Sequence, residues 1–266
     1  MFKIYLRQAW NLVKQNKLFT SIYVIGTGLA IALTMILFIV HYIKFAPIYP
    51  EENRGRTLVI KVMEANSEKG NYSQGCCSPY LSKVLEGLPH LEAISVSAHQ
   101  WGLSPKEISK SGESNSLKTI VQNVNEGFWR VFTFRFLAGK PFTKADVDAK
   151  QPVAVIQEEI ALQLFGTTEA VGERLTYNNQ EFKVAGVVEN SSVAAPDSYA
   201  GIWIPATLSP LYEDEMDNRK HLVGMFAIHL LSTSRADNDL LKQEVKEAIR
   251  KFDADNTEWK HNLWNQ

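Results

Sequence analysis

Cys76 and Cys77 are the only cysteines, and they are neighbours in the chain. Adjacent thiols can close on each other as a vicinal disulfide, remain reduced, or bridge to another chain. With no third cysteine, a conventional intrachain staple is impossible, so the fold must stand on its hydrophobic core. The vicinal disulfide is taken as the leading reading, in a structural rather than redox-catalytic role.

Other chemistry is sparse. Gly70 and Gly75 have the spacing of a phosphate-cradling loop, but Cys76 follows where a lysine must reach the phosphates. Energy from ATP would therefore have to come from another chain. No G-x-S-x-G, H-E-x-x-H or C-x-x-C pattern occurs. The six histidines (His41, His90, His99, His221, His229 and His261) lack metal-ligand spacing. Even His221 and His229, on one extended segment, would stand about 26 Å apart at about 3.3 Å per residue, so all six read as surface or packing residues. The sequence thus offers no catalytic, cofactor-binding or metal-binding residue, and a non-enzymatic role is expected.

Phe128, Trp129, Phe132, Phe134 and Phe136 crowd one stretch. Large apolar side chains are usually buried, so these read as core rather than as a ligand platform. A net charge of -1 gives no broad basic field, which argues against nucleic acid as a partner.

The elements that carry these residues begin with a membrane signal. Residues 1–19 contain Lys3, Arg7, Lys14 and Lys17 and no acidic residue; the run from Thr20 to Ile43 has no charged side chain at all. As a helix, that run reaches about 36 Å at about 1.5 Å per residue, enough to cross a bilayer. It is longer than the apolar part of a signal peptide, and no small-x-small cleavage site follows, so an uncleaved anchor is expected. The positive flank places the N-terminus in the cytosol and the rest outside.

Within residues 2–14, Phe2, Tyr5, Leu6, Ala9 and Val13 share one helical face, while Lys3, Arg7, Asn11 and Lys14 share the opposite one. Such a helix should lie on the inner leaflet. Inside the span, Gly26 and Ala30, and again Gly28 and Ala32, are small residues four apart that would let another helix approach closely.

Beyond the span, patterning predicts a strand at 57–64, a helix over 79–86 capped by Ser78, and a strand at 92–99. Residues 105–116 read as a solvated loop, 117–124 as a strand and 127–132 as a short helix. A turn at 138–141 precedes a strand at 152–156, a helix at 158–165 with Gly166 at its C-cap, and a hairpin of 173–177 and 180–188 around Asn178-Asn179. That hairpin should set Leu175 opposite Phe182. Strands at 201–205 and 223–231 and a helix at 237–252, with Leu240, Leu241, Val245, Ala248 and Phe252 inward, complete an α+β domain.

Two stretches carry a resemblance. The leader and span, MFKIYLRQAWNLVKQNKLFTSIYVIGTGLAIALT, are similar to the opening of FtsX-like permease subunits of MacB-type ABC transporters. The run from Phe136 to Asn190, with FLAGKPFT, PVAVIQEEIALQLFG and AVGERLTYNNQEFKVAGVVEN, resembles the periplasmic core pattern of that family.

The resemblance implies a leader at 1–19, a membrane helix at 20–43, a periplasmic core domain of two small α+β lobes at 44–253, and a polar tail at 254–266. It further implies a Gram-negative inner-membrane location and transport of an amphipathic substrate. The implied partners are the lipid bilayer, a cytoplasmic ABC ATPase that holds the ATP, a second permease copy and a periplasmic adaptor. Family members continue into three further membrane helices, whereas this sequence stops at Gln266, so a fragment and a shortened relative both remain open. A single-span periplasmic sensor is the alternative reading.

Overall fold

The computed structural model describes residues 2–67, 69–99, 104–113 and 115–263. The chain forms two compact units, residues 1–46 and 47–266.

The first unit is two helices. α1 (Phe2–Gln15) forms where the two-faced periodicity predicts it, and Lys14 lies over the Trp10 ring. After Asn16, α2 (Lys17–Phe45) runs without interruption. Its stretch Lys17–Lys44 is long and apolar enough to span a bilayer. The hydroxyls of Thr27 and Thr34 donate to the carbonyls of Tyr23 and Ala30, so these two are satisfied within the helix.

The second unit contains, in order, β1 (Thr57–Ile60), β2 (Met63–Ser67), β3 (Tyr72–Cys77), α3 (Leu81–Val84), β4 (Leu91–Ala98), β5 (Lys106–Lys110), β6 (Ser116–Thr119), β7 (Val121–Val124) and α4 (Phe128–Val131). There follow β8 (Phe136–Gly139), α5 (Lys144–Asp148), β9 (Val153–Gln157), α6 (Glu158–Phe165), β10 (Arg174–Tyr177), β11 (Gln180–Val188) and β12 (Ile202–Pro205). The last elements are α7 (Pro210–Asp217), β13 (Val223–Gly224), β14 (Phe226–Ser232), α8 (Asn238–Asp255) and β15 (Trp259–Leu263).

The strands join in the order β15-β2-β3-β14-β4-β7-β12-β9-β11-β10-β5-β6, with β1 beside β14, β13 beside β3 and β8 beside β11. The two expected lobes are thus two halves of one mixed sheet. Among the described residues, their one ladder contact is Ser97 opposite Val124, between β4 and β7. One core packs α8, α3 and α7 on the first half through Leu81, Tyr212, Leu241, Val245 and Ile249. Another packs α6 on the second half through Ile160 and Ala161. An aromatic core that includes Phe128, Phe132 and Trp203 draws on both halves at the seam.

Local chemistry explains the elements that form as expected. Asn178 and Asn179 take positive φ, so the hairpin turns tightly and Leu175 faces Phe182. Gly166 ends α6 in the left-handed conformation, with its N–H on the Leu162 carbonyl.

Other expectations need correction. The strand expected at 57–64 is two strands, β1 and β2, and each pairs with a different neighbour. Residues 105–116 are not wholly loop: β5 pairs with both β6 and β10, and Ile108, almost fully buried, supplies its one inward anchor. In α8, Leu240 is exposed and Ile249 is buried in its place, because Leu241, Val245 and Ile249 keep the four-residue spacing that faces the sheet.

The polar tail is also structured. β15 pairs with β2 from Trp259↔Ser67 to Leu263↔Met63 and buries His261. The Nε2 of His261 accepts the Leu222 N–H at 3.1 Å, so its proton sits on Nδ1 and is donated to Asp253 at 2.7 Å. Replacing His261 with alanine strands both partners in the interior. The expected loss is about 2 to 4 kcal/mol in urea unfolding, with faster amide exchange in β2 and β15; unchanged exchange there would show that the imidazole does not hold the strand.

Candidate mechanical coupling site

The segment that follows α2 in the chain, Ile48 to Arg56, is mostly polar, yet it is inserted into the domain rather than hung from it. Glu51 is 4% exposed. Its Oε2 accepts the Arg54 guanidinium at 2.8 and 2.7 Å. Its Oε1 accepts the Asp197 N–H at 2.9 Å, the Ser198 N–H at 3.1 Å and the Ser198 hydroxyl at 3.0 Å. Arg54 also donates to the Ala194 carbonyl at 3.1 Å. A buried carboxylate is tolerated only when its lone pairs are met, and here five donor contacts meet them.

The neighbours of Glu51 are tied to the domain as well. The Pro50 carbonyl accepts from the Thr133 N–H at 2.8 Å and hydroxyl at 3.0 Å, and Asn53 donates to the Val131 carbonyl at 3.1 Å. The Tyr49 hydroxyl donates to the Glu189 carbonyl and accepts the Arg135 N–H, both at 3.2 Å. Burial, first of all, pushes the Tyr49 phenol up. Arg135 lies over the Tyr49 ring and pairs with Glu52 and Glu189. Arg56 reaches Glu92 at 2.5 Å and the Ser232 carbonyl at 2.8 Å, while Ser232 donates back to the Arg56 carbonyl. Glu92 and Ser232 lie on the first sheet half; Glu189, Asp197 and Ser198 flank β11 and β12 on the second. One short segment therefore grips both halves close to their narrow seam.

Beneath it, Asp197 pairs with Lys61 Nζ at 2.7 Å and lies 3.6 Å from His229 Nε2. Burial works against the Asp197 charge, but the His229 imidazole and the Lys61 ammonium prevail and hold its carboxyl well below the usual carboxylate range. A depressed carboxyl contributes stability above its unfolded value, about pH 3.9, and loses it only as the pH falls further. The grip on residues 192–198 is therefore expected to survive mild acid. Amide exchange at Ser198 between about pH 4 and 7, corrected for intrinsic rates, checks this; loss of protection already near the top of that window would contradict it.

The thiols sit apart from this site. Cys76 and Cys77 are both buried, and no bond joins them in the structure. Successive residues of a strand point to opposite faces, and both cysteines lie in β3. Cys77 donates to the Ile60 carbonyl at 3.3 Å, and burial pushes both thiols up, so neither is set up as a nucleophile.

The small residues Gly26, Gly28, Ala30 and Ala32 all lie in α2. Among the described residues, nothing outside the local helix backbone comes within 4 Å of the place a Cβ would take at Gly26 or Gly28. Among the described residues, no group of three or more His, Cys, Asp or Glu is placed to hold a metal. The aromatic stretch packs as core: Phe128, Trp129 and Phe134 all contact Trp203, at ring separations of 6.4, 6.0 and 4.8 Å.

In the sequence Glu51, Glu52, Arg54 and Arg56 are four mixed charges after the apolar run, and the grip does not show. The local signal available was the three-residue spacing of Glu51 and Arg54. The other half of the site, Asp197 and Ser198, lies about 146 residues away and leaves no local trace.

A family model described as a MacB-like periplasmic core domain matches residues 20–248. The ABC transporter permease YknZ of Bacillus subtilis is 23% identical over 152 residues, which cover 57% of this chain and 38% of that one. The macrolide export ATP-binding/permease protein MacB of Pasteurella multocida is 29% identical over 101 residues, covering 37% and 16%. The chain spans less than half the length of the curated relatives it matches. Two solved structures share the fold: the periplasmic region of MacB from Actinobacillus actinomycetemcomitans and a domain of a permease protein from Porphyromonas gingivalis. The first has a TM-score of 0.51 and 13% identity, covering 76% of this chain and 88% of that one. The second has a TM-score of 0.55 and 15% identity, covering 80% and 92%.

Proposed function

Because the chain belongs to the MacB-like periplasmic core domain family, we propose that it acts as a mechanical relay in an ABC transporter, carrying motion of its membrane helix into the outer domain. The observation that supports this reading is the Ile48–Arg56 grip. A chain that merely tethered a domain to lipid would need a loose linker, whereas this one enters the fold through a buried, fully satisfied carboxylate.

In this reading α2 sits in the inner membrane of a Gram-negative cell, with α1 on its cytoplasmic face and the domain in the periplasm. A separate cytoplasmic ATPase supplies the hydrolysis, and this chain makes and breaks no covalent bonds. A second permease copy packs on the Gly26, Gly28, Ala30 and Ala32 face. A periplasmic adaptor receives the outer domain, and the cargo is amphipathic, exported or drawn from the membrane.

The test is affinity purification of the tagged chain, expressed from its own locus, out of native membranes in mild detergent. The expected result is a nucleotide-binding subunit and an untagged second copy in stoichiometric yield. Recovery of the chain from the membrane without any ATPase would overturn the transporter reading.

A further inference from the structure

β15 is the terminal strand at one end of the sheet, and a groove of about 590 Å³ lies between it and α8. Lys246, Ile249, Arg250 and Ala254 recur at helical spacing and so share one face of α8, while Lys260 and Leu263 line the groove from β15. Ile249 is buried and Leu263 half-buried, which gives the groove an apolar floor; Lys246, Arg250 and Lys260 are exposed.

The charges in the groove do not cancel. Three lining side chains are cationic and one, Asp253, is acidic. Asp253 is committed to His261, whose backbone N–H it accepts at 2.6 Å and whose Nδ1 proton it accepts at 2.7 Å. Lys260 donates to the carbonyls of Asp253 and Asn256, which hold it in place and leave its charge intact. Arg250 pairs with Glu247 at 2.8 Å, but both side chains are well exposed, and such a pair is exchanged at little cost. Among the described residues, Lys246 has no ion-pair partner.

Two observations narrow the occupant. A strand added at the open edge of β15 would need the Trp259 and His261 N–H groups, and these are already taken by Asn256 at 3.1 Å and by Asp253. That stretch of edge is therefore closed to an extended peptide. The volume, in turn, lies within the usual range for one small molecule and is too little for a folded partner.

We propose that the groove between α8 and β15 binds a small anionic amphiphile, a molecule with one acidic head and one apolar chain. The head lies at Lys246 and Arg250, one turn apart on α8, and the chain covers Ile249 and Leu263. The site uses no residue of the Ile48–Arg56 grip, and it stands or falls independently of the transport reading.

The test uses the full-length, nitrogen-15-labelled chain in nanodiscs of zwitterionic lipid, titrated with sodium octanoate and followed by amide NMR, with free octanoate fixed by dialysis. Octanol, which has the chain without the charge, and inorganic phosphate, which has charge without the chain, are titrated in parallel. Nanodiscs containing anionic phospholipid and no added probe distinguish a bilayer lipid from a free ligand. The double variant Lys246→Gln, Arg250→Gln removes the charge at exposed positions, and Ala254→Trp fills the groove.

The expected result is a saturable octanoate shift at the amides of Ala254, Asn262 and Leu263, with octanol and phosphate far weaker. The double variant should weaken octanoate about tenfold, and Ala254→Trp should abolish the shift. Should a variant fail to fold, the comparison of octanoate with octanol on the wild-type chain still decides. A shift that never saturates, equal binding of octanol, full affinity in the folded double variant, or the same shifts in anionic nanodiscs without octanoate would each overturn the proposal.

Discussion

Replacing Glu51 with alanine is expected to cost the sheet domain about 3 to 5 kcal/mol, because it removes the carboxylate from a buried ion pair. Arg54 would lose its counter-ion at a side-chain exposure of only 15%, and the Asp197 and Ser198 N–H groups would lose their acceptor. In a domain of this size that corresponds to a fall in Tm of about 10 °C. Arg54→Ala should cost less, since Glu51 keeps three donors from Asp197 and Ser198. Thermal unfolding of the two variants side by side checks both the size and the order. Equal and small losses would mean that the carboxylate is not the keystone of the segment.

The second large effect is expected at the seam. Trp203 is fully buried and meets Phe128, Trp129 and Phe134, in the aromatic core that draws on both sheet halves. Trp203→Ala should cost about 3 to 5 kcal/mol, the usual penalty for removing a large aromatic from a core. Because Ser97↔Val124 alone among the described residues joins the ladders at this point, the variant should also unfold in two steps, the halves melting separately. Trp203→Phe should recover most of the loss, because the indole N–H has no hydrogen-bond partner to forfeit. Calorimetry distinguishes the outcomes: a single cooperative transition in Trp203→Ala would show that the halves are welded elsewhere.

What sequence reasoning could see depended on the range of the interaction. The hairpin around Asn178-Asn179 and the end of α6 at Gly166 are decided by backbone preferences within a few residues, and both form as read. The membrane run is legible for the same reason, since hydropathy and length suffice. β5 was hidden because a strand with a single buried residue, Ile108, carries almost no alternation. α5 was announced by a signal that went unread: Thr143 and Asp146 form a reciprocal capping box. β15 does alternate, with His261 inward between exposed Lys260 and Asn262, but its inward residue is polar and is accommodated only by Asp253 and Leu222.

The Ile48–Arg56 grip marks the limit. Glu51 looks like one of several surface charges after a membrane helix until Asp197 and Ser198 are brought to it through the fold. The cysteines show another limit. Adjacency in sequence says nothing of direction, and within a strand successive side chains alternate between faces. That topology follows from how β3 pairs with β2, β13 and β14, which the two residues themselves do not encode.

The most direct test of the relay is a six-residue Gly-Ser insertion between Ala46 and Pro47, which keeps the membrane helix and the grip but makes the link between them flexible. In the complete transporter, a spin label on cysteine at exposed Val193 reports the distance between two copies, while the buried thiols of Cys76 and Cys77 stay unlabelled. The relay predicts that trapping the ATPase with ATP and vanadate shifts this distance in the uninserted protein and leaves it unmoved in the inserted one, with ATP hydrolysis retained in both. An equal shift in both proteins would contradict it, because the outer domain would then be moving without a rigid connection to its helix.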